Sequence, residues 1–130
     1  MKIMVCYDGS NVAKAALKIA KKHANAFDAQ VSVVTSHESV SESKIKKTER
    51  AEQDLEDVKK SFEEDKISCD THLLIRGISA GEALVQFADE NRIDQIIIGV
   101  RRRSKVGKLL FGSVTQYVII NASCPVLSVK

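Results

Sequence analysis

The sequence has no tryptophan, two tyrosines, four phenylalanines and a single proline in 130 residues. Its core must therefore be mainly aliphatic. The longest apolar runs fall far short of the roughly 20 residues that a membrane-spanning helix needs, so we expect no contact with the interior of a bilayer. The chain opens in a strand-like segment without the features of a secretory signal, and we therefore expect a cytoplasmic location.

Cysteine and histidine are also too sparse to indicate a metal centre. The three cysteines include no Cys-x-x-Cys pair, and the three histidines have no spacing typical of shared metal ligands. We therefore expect neither a disulfide framework nor a metal held by side chains alone. The formal net charge of +3 is modest, so the position of the positive charges matters more than their sum.

Apolar runs alternate with amphipathic segments along the whole chain. Residues 2–7 and 94–99 are almost continuously apolar, as expected of strands that are covered on both faces. Further strands are predicted at 31–34, 67–75 and 126–129, with helices between successive strands. This pattern predicts a single α/β domain over residues 1–130, with a doubly wound, mostly parallel five-stranded sheet of order 3-2-1-4-5 and helices on both faces.

Finer details of the pattern predict which side chains are buried. The first helix should turn one apolar face to the sheet, formed by Ala13, Ala16, Leu17, Ala20, Ala24 and Phe27. Apolar and polar residues alternate along the third strand. One face of this strand should therefore carry Ile67, Cys69, Thr71, Leu73 and Ile75. Residues 36–43 are polar and are predicted to form a loop.

In a sheet of this kind the ligand crevice lies beyond the carboxyl ends of the strands, where the strand order reverses. Here that rule brings the loop Asp8-Gly9-Ser10 beside the loop that follows Gly99. The second loop, residues 100–111, is rich in arginine and lysine and leads into a helix that Ser113 could cap. Unpaired N–H groups at a helix start, next to a basic loop, favour a bound phosphate.

Each of these features also has a purely structural interpretation. Asp8 is typical of a turn that caps the following helix, and Ser113 is typical of an ordinary N-cap. A basic run is often no more than solvated surface. The pair Gly107-Lys108 has neither the spacing nor the hydroxyl residue of a P-loop.

The sequence around the basic loop resembles the universal stress protein family. Three segments resemble the carboxyl half of that family in order and spacing. They are Gly99, Gly112-Ser113-Val114-Thr115 and Cys124-Pro125-Val126-Leu127-Ser128-Val129. The family's first strand and loop are similar to Ile3-Met4-Val5-Cys6-Tyr7-Asp8-Gly9-Ser10. Nucleotide-binding members have Gly-x-x-Gly, nine residues, then Gly-Ser or Gly-Thr. This chain has Arg102 at the second glycine.

The resemblance implies a set of contacts to an adenine nucleotide. Asp8 would hydrogen-bond the nucleoside, Ser36 would offer backbone groups to the adenine, and Gly99 would allow close approach of the backbone. The phosphates would be held by Gly112, Ser113, Val114 and Thr115, and the candidate set is completed by Ile98, Arg101 and Arg102. An arginine at position 102 loses the freedom of a glycine but could supply a charge-assisted contact to phosphate.

The implied function is that of a small stress-response protein that binds ATP or a related adenine nucleotide. Any Mg²⁺ would be held mainly by the phosphates. The protein would signal through a homodimer formed by the edge strand Val126–Val129. No histidine or glutamate stands beside the motif as a general base, so we expect no enzyme activity beyond slow hydrolysis.

Two alternatives remain open. One is an adenine-nucleotide hydrolase or transferase with slow turnover, and the other is an interaction module that binds no nucleotide. Nucleic-acid binding is disfavoured, because the basic residues lack the aromatic platforms on which single strands stack.

Overall fold

The computed structural model describes residues 1–101 and 112–130, which form alternating strands and helices. The strands are β1 (Lys2–Cys6), β2 (Gln30–His37), β3 (Cys69–Ile75), β4 (Gln95–Gly99) and β5 (Val126–Val129). The helices are α1 (Asn11–Phe27), α2 (Ile45–Glu64), α3 (Ala80–Glu90) and α4 (Ser113–Asn121), with a short 3-10 helix, Glu42–Lys44, before α2. Within these ranges no helix is both long and apolar enough to cross a membrane.

The strands form one sheet of order β3-β2-β1-β4-β5, and all four strand pairs are parallel. This order confirms the fold predicted from the sequence. The chain passes from β1 through α1 to β2 on one side, and returns from β3 through α3 to β4 on the other side of β1. The loops that follow β1 and β4 therefore meet at the carboxyl edge of the sheet.

Alternate side chains of the central strands enter two hydrophobic clusters, one on each face of the sheet. The first cluster joins α1 and α2 to the sheet and includes Ile3, Val5, Val31, Val33, Ala16, Ala20 and Phe62. The second joins α3 and α4 to the other face and includes Met4, Cys6, Val34, Ile96, Ile98, Phe87 and Val118. Both faces are covered, as a doubly wound fold requires. Because the buried side chains of α1 are alanines, this helix packs close to the strands.

Gly99 is required by the packing of α1 over the end of β4. A Cβ atom at this position would lie 2.7 Å from the backbone carbonyl carbon of Val12 and 2.8 Å from its Cγ2. Because the closest atom belongs to the backbone of a packed helix, it cannot move aside cheaply. Gly99 therefore has a structural reason of its own, besides the approach to a ligand that the resemblance implies.

Three local predictions are wrong. β2 continues to His37, so Ser36 and His37 belong to the strand and not to the predicted loop. Phe27 is the last residue of α1 and is 57% exposed, with its ring edge-on to that of His23 and not packed in the core. In β3 the predicted alternation holds, with Cys69 and Leu73 packed against the first cluster and Leu74 in the second, but Ile75, at the end of the Leu73 face, is exposed and not buried.

We expect the replacement Gly99→Ala to lower the free energy of unfolding by about 1–3 kcal/mol, the usual cost of overpacking a tightly packed site. Gly112→Ser is the matched control, because in the described part of the chain a Cβ atom at Gly112 would meet nothing within 4 Å. Urea unfolding of both variants measures the difference. A Gly99→Ala protein as stable as the wild type would contradict the packing role.

Candidate functional site

A cleft of about 500 Å³ opens at the carboxyl edge of the sheet, above β1, β2 and β4. Its volume lies within the range of about 300–1,000 Å³ that is usual for small-molecule sites. The described residues around it come from the loop after β1, the ends of β2 and β4, and helices α2, α3 and α4. The cleft lies where the strand order reverses, which is the position that the sequence predicts.

Asp8 is held in the loop after β1 by two contacts. Its Oδ1 accepts a hydrogen bond from the Ser10 backbone N–H at 3.0 Å, and its Oδ2 accepts one from Arg101 Nη2 at 3.0 Å. Burial raises the pKa of the Asp8 carboxyl, but the hydrogen bonds from Ser10 and the Arg101 charge outweigh it and lower the pKa below its ordinary value. Asp8 is therefore an anionic acceptor at neutral pH.

Ser10, and not Asp8, caps helix α1. The Ser10 Oγ accepts a hydrogen bond from the Ala13 backbone N–H at 3.2 Å. The structural interpretation in which Asp8 serves only as the cap of the first helix is therefore wrong. The Asp8 carboxylate lines the cleft and pairs with the loop after β4.

The ion pair between Asp8 and Arg101 joins the two loops that meet at the cleft. The two side chains are 61% and 49% exposed, respectively, and exposed ion pairs contribute only about 0–1 kcal/mol to stability. Its main consequence is positional, since it holds a guanidinium at the rim of the cleft. Arginine has five N–H donors, so Arg101 keeps donors for an anionic ligand.

Helix α4 begins near this ion pair, and in the described part of the chain its N-terminus carries no side-chain cap. Gly112 is the N-cap residue, with φ −60° and ψ 157°, and a glycine has no side chain that could accept from the first turn, so within the described residues this turn has no side-chain cap. Ser113 is the first helical residue, so the prediction of Ser113 as the cap is wrong. Uncapped N–H groups at a helix start are donors for an anion. In the same turn Val114 and Thr115 line the cleft.

The end of β2 provides a further wall of the cleft. Thr35 is buried and its Oγ1 donates a hydrogen bond to the Tyr7 carbonyl at 2.7 Å, which ties β2 to the end of β1. The neighbouring Ser36 lines the cleft, and its Oγ is buried without a hydrogen-bond partner among the residues that the structure describes. A buried hydroxyl without a partner is costly, so a ligand that supplied one would gain affinity.

The structure thus brings most of the sequence-predicted site residues to one cleft. Those that line it are Asp8, Ser36, Ile98, Gly99, Arg101, Val114 and Thr115. Gly112 and Ser113 lie just before this set, at the start of α4. Arg102 lies outside the described residues.

Sequence reasoning missed the contribution of α2 and of His37. Lys47, Arg50, Ala51 and Asp54 line the cleft from α2, and His37 lines it from the end of β2. No histidine is near the motif in the sequence, but the fold places His37 in the wall of the same cleft. The spacing of positions 47, 50, 51 and 54 places them on one helix face, but nothing in the sequence distinguishes that face from a solvated one.

His37 experiences the positive charge of this wall. Burial lowers the pKa of the imidazole, and the Lys47 and Lys44 ammonium groups lower it further. His37 is therefore neutral at pH 7. A group that binds at this wall meets a positive potential.

We expect Lys47→Ala to raise the pKa of His37, because it removes a nearby positive charge that opposes protonation of the ring. In an NMR titration the imidazole signals should move at a higher pH in the variant than in the wild type. Lys46→Ala is the control, since Lys46 is exposed and does not line the cleft. The same His37 midpoint in the wild type and Lys47→Ala would show that Lys47 does not act on this ring.

Comparison with known proteins gives a consistent picture. The model of the universal stress protein family matches residues 1–130. A universal stress protein of Methanocaldococcus jannaschii is 36% identical and is matched over 99% of this chain and 81% of its own length.

Solved structures of universal stress proteins are similar over the whole chain, and two of them share 30% or more of its sequence. A universal stress protein from Archaeoglobus fulgidus has a TM-score of 0.90 and 34% identity, covering 100% of this chain and 98% of that one. The universal stress protein from Archaeoglobus fulgidus in complex with dAMP has a TM-score of 0.84 and 30% identity, with the same coverage of 100% and 98%. On the fold, the motif residues and these matches, the chain belongs to the universal stress protein family.

Proposed function

We propose that this protein binds an adenine nucleotide, ATP or a close relative, in the cleft at the carboxyl ends of β1 and β4. The observation that carries the proposal is the convergence of Asp8, Arg101 and the uncapped start of α4 on one cleft. A relative that is 30% identical was solved with dAMP, which supports the adenine class of ligand.

The family resemblance, together with the chemistry of the walls, suggests how the nucleotide would lie. The Asp8 carboxylate accepts from a ribose hydroxyl, while backbone groups at Ser36 meet the adenine. The 5′-phosphates extend toward Arg101 and the first turn of α4, where N–H donors and a helix dipole favour negative charge. Apolar side chains of Val34, Leu84 and Ile98 line the same cleft and provide contact for the faces of the base.

We propose ATP as the natural ligand, with any Mg²⁺ held mainly by the phosphates. Among the described residues no group of three or more histidine, cysteine, aspartate or glutamate side chains is arranged to hold a metal ion. Hard cations such as Mg²⁺ are commonly bound through one or two carboxylates, waters and substrate phosphates. The phosphates are therefore the main ligands expected for the ion.

We propose a binding and signalling role in the cytoplasm, within one universal stress protein domain over residues 1–130, in preference to catalysis. Burial raises the pKa of the Cys6 thiol, which lines the cleft, to about 12, so it is not a thiolate nucleophile at neutral pH. The lowered pKa of Asp8 makes its carboxylate a weak base. These properties support slow turnover at most.

The first test is direct identification of the ligand, followed by a variant at the start of α4. Denatured wild-type protein should release ATP or AMP, identified by mass spectrometry. Gly112→Val should weaken ATP binding by at least about tenfold, or roughly 1.4 kcal/mol, because the branched side chain obstructs the helix-start donors. Calorimetric titration measures the affinity.

Folding of the Gly112→Val protein should survive, since within the described residues a Cβ at this position meets nothing within 4 Å. Thermal unfolding is the control that separates a binding defect from a folding defect. If the wild type neither releases nor binds an adenine nucleotide, the proposal fails and the interaction module becomes the better description.

We also propose that the protein forms a homodimer through β5. Among the residues that the structure describes, this strand lies at the edge of the sheet and is paired only with β4. Val126, Leu127 and Val129 are partly exposed, and Ile120, at the end of the preceding helix, is 70% exposed. An open strand edge with apolar side chains favours pairing with a second copy of the chain.

A substitution at Ser128 tests dimerisation through β5 without removing a hydrogen bond from the sheet of a single copy. The carbonyls of Pro125 and Val129 accept hydrogen bonds from the Ile96 and Val100 N–H groups of the β4 side. In a parallel pair successive residues point their backbone groups to opposite sides, so the Ser128 N–H faces away from β4. Ser128→Pro removes that donor alone, at an edge where proline is tolerated.

We expect the wild type to sediment as a dimer at micromolar concentration and Ser128→Pro to sediment as a monomer. Ser128→Thr is the control, because it retains the N–H group and a β-branched hydroxyl residue suits a strand. Analytical ultracentrifugation distinguishes the two states. A monomeric wild type would remove the basis for dimerisation through β5.

A further inference from the structure

The wall of the cleft formed by α2 carries two cations that the proposed nucleotide contacts do not use. Lys47 and Arg50 line the cleft, and His37 lies beside them at the end of β2. We call these three residues the α2 corner. Lys47 and Arg50 are three positions apart on one helix, so their side chains share a face.

The α2 corner lies on the opposite side of β1 from the proposed 5′-phosphate site. β2 and β4 flank β1 in the sheet, and the corner is built on the β2 side while Arg101 and α4 follow β4. Two interstrand spacings separate β2 from β4, which is about 9–10 Å. A 5′-phosphate bound near α4 would therefore not reach the α2 corner, and a different part of the ligand would contact it.

The cations of the corner have no carboxylate partner within the described residues. Arg101 is paired with Asp8 at 3.0 Å, whereas neither Lys47 nor Arg50 lies within 4.0 Å of a carboxylate in that part of the chain. Concave sites focus the field of the charges that line them. Two such cations in a ligand cleft indicate an anionic group on the ligand.

Carboxylates elsewhere in the cleft limit where that anion can lie. Asp8 is partly neutralised by Arg101, while Asp54 lies close to the loop after β1, with its Oδ2 3.4 Å from the position of a Cβ on Gly9. Lys47 is seven residues before Asp54, a distance of about 10 Å along the helix. The Lys47 end of the wall is thus the favourable end for negative charge.

From this placement we infer that the α2 corner binds a second phosphate, carried on the ribose, so that an adenosine bisphosphate binds more tightly than ADP, which carries both phosphates at the 5′ position. The inference rests on the proposed function, which assigns the 5′-phosphate to α4 and a ribose hydroxyl to Asp8. One ribose hydroxyl then remains to donate to Asp8 while the other carries the second phosphate. Arginine and lysine together provide charge-assisted contacts to it.

Calorimetric titrations with four ligands test this inference. The ligands are AMP, ADP, adenosine 2′,5′-bisphosphate and adenosine 3′,5′-bisphosphate. ADP is the matched comparison, because it also has two phosphates but carries both at the 5′ position. We expect the wild type to bind one of the bisphosphates at least about tenfold more tightly than ADP.

The double variant Lys47→Gln with Arg50→Gln should lose that advantage and keep the affinity of the wild type for AMP. The control variant Lys46→Gln with Lys60→Gln removes the same charge from exposed positions of α2 that do not line the cleft, and it should keep the advantage. Added salt should also reduce the advantage in the wild type, since the corner acts through charge.

The outcomes separate the inference from the proposed function. If AMP binds but neither bisphosphate binds more tightly than ADP, the α2 corner is not a phosphate site, while the nucleotide site stands. If the advantage survives in the Lys47 and Arg50 double variant, the second phosphate lies elsewhere and the inference is wrong. If no adenine nucleotide binds at all, both proposals fail.

Discussion

The position of β1 between β2 and β4 is the constraint on which the site depends. Cys6, the last residue of β1, is in register with Val34 on one side and Ile98 on the other. Because every pair is parallel, the chain leaves all of these strands at the same edge of the sheet. One edge therefore collects the loop of Asp8, the end of β2 and the start of the basic loop.

This arrangement depends in turn on the close approach of α1 to the sheet. The buried positions of the helix are all alanine, at 13, 16, 20 and 24, and the backbone at Val12 passes directly over Gly99. Small residues on both sides allow the contact, which places the N-terminus of α1 and the end of β4 next to each other. The site is thus positioned by packing that involves no ligand.

Charge is distributed unevenly around the resulting cleft. On the β4 side Arg101 is held by Asp8, next to the uncapped start of α4. On the β2 side burial and then the Lys47 charge lower the pKa of His37. The central Asp8 is the acceptor between two positive regions, an arrangement suited to a ligand with a hydrogen-bond donor in its middle and negative charge at its ends.

The sequence alone was sufficient for the order of strands and helices, since continuous apolar runs such as 94–99 and the alanine face of α1 are local patterns. It also located Asp8 and Gly99, because turn and glycine residues follow or end the strands of such a sheet directly, whereas Thr115 was assigned through the family resemblance. The resemblance of the same residues to the universal stress proteins identified the family.

Tertiary structure alone decided the rest. The assignment of Ser10 as the cap of α1 depends on hydrogen-bond geometry, and the exposure of Phe27 depends on which residues from elsewhere in the chain pack against the last turn of the helix. The part that α2 plays is the largest such case: Lys47 and Arg50 look like solvated charges in the sequence, and they become lining residues of the cleft only because α2 packs beside β2 and β3. A helix pattern specifies which residues share a face, whereas the neighbour of that face is set by contacts between segments far apart in the chain.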